Sequence, residues 1–137
     1  MSKPRSLLDK AGETTPTLNY AVELTRLAST VGFDWPDVEG VISKIHEELN
    51  EVQHEIQHGL IPERLHDEIG DLLFACTNLA RHLHVDPDTA LISTNDKFKR
   101  RFEFIEQHVS AQNKTLAECD LAELDALWDQ AKTLEKK

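Results

Sequence analysis

Apolar residues recur along most of this chain at intervals of three and four, the repeat of one helix face. From Thr17 the positions Leu18, Ala21, Leu24, Leu27, Ala28 and Val31 lie along one side, with Thr17 placed to cap the helix and Gly32 to end it. After the aromatic loop Phe33-Asp34-Trp35-Pro36, a second helix is expected from Val38 to Gln57, closed by Gly59. Its apolar positions Val38, Ile42, Ile45, Leu49, Val52 and Ile56 form the seam of a bundle helix. Pro62 opens a third helix reaching Leu83, with the stripe Leu65, Ile69, Leu72, Cys76, Leu79 and Leu83. Asp86-Pro87 is an N-cap followed by a proline at the first helical position, and it starts a fourth helix carrying Leu91, Phe98, Phe102, Ile105 and Val109. A polar link from Ser110 to Cys119 leads to Asp120, with Glu123 three residues on, a capping-box pattern. The last helix carries Leu121, Leu124, Leu127, Trp128, Ala131 and Leu134. No stretch alternates with period two, and there is no internal repeat. The pattern predicts an all-α, four- to five-helix bundle over residues 17–137, preceded by a polar arm over residues 1–16.

Composition narrows the function classes. The chain has 137 residues, with 15 Lys and Arg against 25 Asp and Glu, a formal net charge of −10. So acidic a chain is a poor general binder of nucleic acid, which demands a positive field, and a reasonable host for divalent cations. No apolar run approaches the ~20 residues of a membrane span, and Met1 to Lys10 lacks the apolar stretch of a secretory signal. The expectation is a soluble, reduced, cytoplasmic protein without nucleic-acid or membrane partners. The two cysteines, Cys76 and Cys119, make neither a disulfide framework nor a zinc motif, and Cys76 is expected to be a small buried hydrophobe.

The acidic charge is concentrated. Residues 47–71 hold Glu47, Glu48, Glu51, Glu55, Glu63, Asp67, Glu68 and Asp71 against Arg64 alone. A solvated acidic face would explain any single pair. Helical geometry sharpens the case: at ~100° per residue, Glu48 and Glu51 fall on one side of the second helix, and Glu68 and Asp71 on one side of the third. A short link makes these two helices antiparallel neighbours, so the four carboxylates would converge at the edge of the core. Carboxylates held that close resist ionising together. A bound Mg²⁺, or Mn²⁺ as substitute, removes the conflict, because hard cations take oxygen ligands. The dense basic cluster lies at Lys97-Phe98-Lys99-Arg100-Arg101, where Lys97 and Arg101 share one flank and Arg100 and Lys99 point away. Carboxylates, a metal and a Lys/Arg pair are what a polyphosphate requires. On spacing alone, simple pairing of these basic residues with surface acids stands level with that reading.

The strings themselves point further. Glu47-Glu48-Leu49-Asn50-Glu51 with Glu68-Ile69-Gly70-Asp71 matches the E-E-x-x-E…E-x-x-D signature of the all-α nucleoside triphosphate pyrophosphohydrolases. Val31 to Pro36, Gly70 to Ala75, Asn78 to Leu83 and Lys97 to Phe102 resemble MazG, and the resemblance extends over about residues 27–130, nearest to the C-terminal catalytic half of two-domain MazG proteins. It implies Mg²⁺-dependent cleavage of a nucleoside triphosphate between the α and β phosphates, giving the monophosphate and pyrophosphate. It implies Glu48, Glu51, Glu68 and Asp71 as metal ligands, and Lys44, Lys97 and Arg101 along the triphosphate. Trp128 would contact the nucleotide, stacking on the base, or serve as a core aromatic. Glu47 would orient the attacking water as the base, although by phase it points ~180° from the apolar seam. That phase, with the family resemblance, predicts a homodimer or higher homo-oligomer. The N-terminal half of two-domain MazG has no counterpart in this sequence.

Two other classes compete. Glu51-x-x-His54, Glu55-x-x-His58 and Glu63-x-x-His66 have the Glu-x-x-His form of di-iron carboxylate bundles. Two of the three share one helix, however, and a basic flank has no task in an oxygen-activating site. A non-enzymatic helical interaction module is the other alternative; it predicts no metal-dependent activity.

Overall fold

The computed structural model describes residues 6–12 and 15–136. The expectation of a polar N-terminal arm therefore falls partly outside the described residues, at positions 1–5, 13 and 14. Its described part is structured: Leu7–Lys10 form a 3₁₀ turn. Ser6 Oγ accepts from Leu8 N at 3.1 Å and Asp9 Oδ2 accepts from Ser6 N at 3.0 Å. Ala11 behind it is buried.

Five helices follow: α1 (Thr17–Ser29), α2 (Val38–Gln57), α3 (Pro62–His82), α4 (Pro87–Ala111) and α5 (Leu121–Glu135), with a second 3₁₀ turn at Leu116–Glu118. No strand occurs among the described residues, and the chain is all-α as the periodicity predicts. The stop and start signals act locally. Gly32 (φ +86°) and Gly59 (φ +111°) take the left-handed backbone that ends α1 and α2. Asp37 Oδ1 accepts from Gly40 N at 3.1 Å to cap α2. Pro62 opens α3, and Asp86 Oδ1 accepts from Asp88 N and Thr89 N at the start of α4. Asp120 Oδ1 accepts from Glu123 N at 2.8 Å before α5. Thr17 is not the cap of α1. It is the first helical residue, and the backbone carbonyl of Pro16 takes the first bond, from Tyr20 N at 2.8 Å. A reciprocal capping box stands one element earlier than expected, at Thr115 and Glu118.

The fold divides into two compact units, residues 1–90 and 91–137. In the first, α2 and α3 pack most extensively, and α1 lies against α3 and the N-terminal 3₁₀ turn. Its buried apolar residues are Ala11, Leu27, Val41, Val52 and Ala75. In the second, Ile105 and Val109 of α4 and Ala131 of α5 are buried.

The expected seams are only partly the buried ones. On α2, Val52 is buried, but Ile42, Leu49 and Ile56 are 42%, 45% and 53% exposed. The inward face is Val41, Glu48, Val52 and Glu55, rotated by about one residue, ~100°, from the Ile42–Leu49–Ile56 line. On α3, Ile69, Leu73 and Phe74 are exposed, as is Leu83 just beyond its end, and so is Cys76, which is not the buried hydrophobe expected. Apolar spacing marks which helix face avoids water, not whether its own chain covers it.

Candidate metal and nucleotide site

The α2–α3 turn, residues 58–61, runs the two helices back along each other and brings their carboxylates together. Glu48 of α2 and Glu68 and Asp71 of α3 offer oxygens that all lie within 4.8 Å of one another. Glu48 is buried, Glu68 half-buried and Asp71 exposed, so the trio opens outward from the core. Glu51 is exposed and stands outside the trio, although its charge reaches Glu68. Burial and the neighbouring charges of Glu51, Asp71, Glu48 and Asp67 push Glu68 above the usual carboxylate range. Burial, Asp67 and Glu48 raise Asp71, against the pull of Lys44. These carboxyls therefore repel one another in the absence of a cation.

Lys44 is the counter-charge on the spot. Its Nζ lies 3.0 Å from Glu48 Oε1 and 3.4 Å from Glu47 Oε1. The bond to Glu48 is the main reason its ammonium is held above the ordinary lysine value. Glu47 itself points outward, its side chain 60% exposed, in agreement with its helical phase. The donor set is all carboxylate oxygen, so a hard divalent cation fits it. Among the described residues no histidine joins this cluster. His46, His54, His58 and His66 are exposed, and His54 and His58 stack on each other, so the di-iron reading has no imidazole ligands here.

The remaining expected nucleotide contacts belong to the second unit. Arg101 has two partners there: Nη2 lies 3.0 Å from Glu135 Oε2, and the guanidinium sits 5.4 Å from the centre of the Trp128 ring. Phe98 packs on the same ring at 5.4 Å. Arg100 is 60% exposed and Arg101 13%, the division expected from their phases. Lys97 is half-buried and makes no ion pair among the described residues.

A feature given no role from sequence adjoins the carboxylates. Lys44, Glu48 and Asp71 help to line a cavity of about 800 Å³ whose walls also include Phe33, Trp35, Phe74 and Asn78. The loop that lines it is pinned by Asp34, whose Oδ1 accepts from Arg81 Nη2 at 2.6 Å, from His82 Nε2 at 2.9 Å and from Trp35 N at 2.8 Å. Burial acts to raise the Asp34 carboxyl, but the bonds to Arg81, His82 and Trp35 outweigh it and hold the group below the ordinary aspartate value. Two aromatic residues in a short polar loop were the available signal.

Residues 37–105 match the model of the MazG nucleotide pyrophosphohydrolase domain. Over 131 residues the chain is 37% identical to a nucleoside triphosphate pyrophosphohydrolase of Escherichia coli strain K12, covering 95% of this chain and 50% of that protein. A nucleoside triphosphate pyrophosphohydrolase/pyrophosphatase MazG of Thermotoga maritima is 39% identical over 130 residues, 95% of this chain and 49% of the relative. The chain thus spans about half the length of these curated relatives. A shorter match, 44% over 70 residues, covers 51% of this chain and 14% of the uncharacterized protein YabN of Bacillus subtilis.

Proposed function

Because the chain belongs to the MazG nucleotide pyrophosphohydrolase family, we propose that it hydrolyses nucleoside triphosphates between the α and β phosphates, releasing a monophosphate and pyrophosphate. The observation that carries the reading is the convergence of Glu48, Glu68 and Asp71 within 4.8 Å beside Lys44. These carboxylates, with Glu51 at their edge, would hold Mg²⁺, or Mn²⁺ in its place. The bound cation would neutralise phosphate oxygens and lower the pKa of the attacking water.

The chain's own groups do the rest. Lys44 Nζ donates to Glu48, which fixes that carboxylate, and it presents positive charge to the phosphate chain. Glu47, exposed one residue before the cluster, takes the proton of the attacking water on a carboxylate oxygen. Lys97 and Arg101 carry the further negative charge of the triphosphate, and Trp128 adds a nucleotide contact. The active species is a homodimer or higher homo-oligomer, in which the open line of Ile42, Leu49 and Ile56 on α2 is covered. We place this chemistry in the cytoplasm, where nucleoside triphosphates are held; no helix among the described residues is long and apolar enough to cross a membrane.

The test is direct. The protein is incubated with ribo- and deoxyribonucleoside triphosphates and Mg²⁺, and the products are identified. Monophosphate and pyrophosphate, lost on chelation, are expected. Diphosphate and orthophosphate would assign a different bond, and absence of turnover with every substrate would favour an interaction module.

A further inference from the structure

We propose that His54 and His58, at the C-terminal end of α2, form a second cation site: a two-imidazole chelate for a borderline transition-metal ion of the Zn²⁺ class, separate from the carboxylate cluster and its hard ion.

The proposed reaction gives neither histidine a task. His54-Glu55-Ile56-Gln57-His58 has the H-E-x-x-H spacing, which sets two imidazoles one turn apart on one helix face. In the fold the two rings meet, with centroids 4.0 Å apart and planes 15° from parallel. Zinc–nitrogen bonds are ~2.0–2.1 Å long, so one ion can join rings this close after a turn about χ2, a soft torsion. Both residues are exposed, the His54 side chain by 61%, and an ion reaches them without opening the core.

The same nitrogen is left free on each ring. His58 Nδ1 lies 2.6 Å from the backbone oxygen of His54. A carbonyl only accepts, so Nδ1 carries the proton, and the lone pair of the neutral ring is on the far nitrogen, Nε2. His54 Nδ1 lies 4.0 Å from Glu55 Oε1, which turns that edge of the ring to a carboxylate and again leaves Nε2. Zinc-bound histidines give their second N–H to a backbone carbonyl or a carboxylate, and this pair has one of each.

An independent observation calls for positive charge at this end of α2. Glu55 is 8% exposed, and its Oε2 has no hydrogen-bond partner. Among the described residues its only ion-pair partner is His54. A buried carboxylate without a counter-charge is costly, and a cation on His54 would supply one through the polarised imidazole. The helix dipole acts the same way, because its negative pole lies at the last carbonyls of α2. Among the described residues no third carboxylate, thiol or imidazole converges on the pair. Water therefore completes the coordination, and the ion clips the last turn of α2 ahead of Gly59. Imidazole nitrogens suit Zn²⁺, Ni²⁺ and Cu²⁺, whereas Mg²⁺ takes oxygen, so the two sites sort ions by donor chemistry.

The experiment titrates the full chain, stripped with a chelator, with Zn²⁺ in a calorimeter under saturating Mg²⁺, which holds the carboxylate cluster. One Zn²⁺ per chain is expected. His54→Gln and His58→Gln should each weaken it by about tenfold or more, at least the loss that follows removal of an outer-shell partner. His46→Gln, on the same helix but outside the pair, should leave it unchanged. Zn²⁺ should raise the melting temperature of the wild type but not of the double variant His54→Gln/His58→Gln, and circular dichroism shows that each variant is folded. In the unsubstituted protein, Zn²⁺ should shift the Nε2 resonances of His54 and His58 in ¹⁵N spectra and leave those of His66 in place. No Zn²⁺ bound under saturating Mg²⁺ would overturn the site. So would affinity unchanged in both single variants, which would return the ion to the carboxylates, or affinity lost in only one of them, which would leave no chelate.

Discussion

The two faces of α2 reverse the usual division of labour. The face turned toward the rest of its unit buries two carboxylates, Glu48 and Glu55, alongside Val41 and Val52, while the line of Ile42, Leu49 and Ile56 stands open to water. Charge is costly to bury and apolar surface costly to expose, so each face needs an explanation beyond folding stability. For Glu48 it is Lys44 at 3.0 Å and the carboxylates of α3, a cluster that a cation would complete. For the open line it is the second chain proposed above. Glu55 lacks even that: its Oε2 is buried with no hydrogen-bond partner among the described residues.

The comparison breaks first at the inward face. Glu48→Ala or Asp71→Ala should lower turnover by ~10²–10³-fold or more, the scale of losing a preorganised electrostatic contact, while circular dichroism shows helicity retained. Asp67→Asn, on the same helix but outside the trio, should change the rate little; near-normal rates in the first two variants would remove the metal assignment. The outward face answers to charge. Leu49→Glu should weaken self-association by about tenfold or more, read by light scattering across a dilution series. If the wild-type protein is a fully active monomer, the covered-seam proposal fails and Glu47 returns to solvent.

Smaller effects sharpen the contrast. Glu55→Met should stabilise the fold by about 1 kcal/mol, because it removes an unpaired buried oxygen and keeps the volume; a lower denaturation midpoint would show that Glu55 has a partner in solution. Asp34→Asn should cost about 1–2 kcal/mol at neutral pH by releasing Arg81 and His82. The Asp34 carboxyl is held below its ordinary value, so its contribution is complete above ~pH 4 and lost as the pH falls through the folded value. Wild type and Asp34→Asn should therefore converge in strong acid in a series of thermal melts. Glu68→Gln has the opposite sign. Its carboxyl is raised in the fold, so ionisation destabilises the metal-free protein, and the variant should melt higher than wild type at neutral pH. That advantage should shrink below the ordinary glutamate value of ~4.3 and reverse when Mg²⁺ is added.

How far the sequence carries can be read from the same helix. The limits of α2, Val38 and Gln57, follow from its periodicity and from Asp37 and Gly59, which act through neighbouring backbone. The meeting of Glu48 with Glu68 and Asp71 follows from helical phase and a short turn. The inward face does not. Period alone cannot separate a stripe covered by α3 from one left for another molecule, and the apolar stripe was the stronger pattern. Cys76 is misplaced for the same reason. The Asp34–Arg81 pair spans 47 residues, and no local rule joins a loop aspartate to the far end of a helix. Trp35 and Gly40 were both visible as residues, but only the position of the indole, 2.9 Å from where a Cβ on residue 40 would stand, gives the glycine its purpose.

The turn at residues 58–61 also bears on the order of events during folding. Glu48, Glu68 and Asp71 all belong to the two helices it joins, so the centre requires the closure of one short loop and no distant pairing. Contacts so close in sequence form early, because little chain entropy opposes them. A cation present during refolding would meet its three oxygens as the hairpin zips, and it would relieve the repulsion that otherwise slows docking of α3 on α2. Stopped-flow recovery of helicity should be faster with Mg²⁺ than with a chelator, and Glu68→Gln should lose part of that difference.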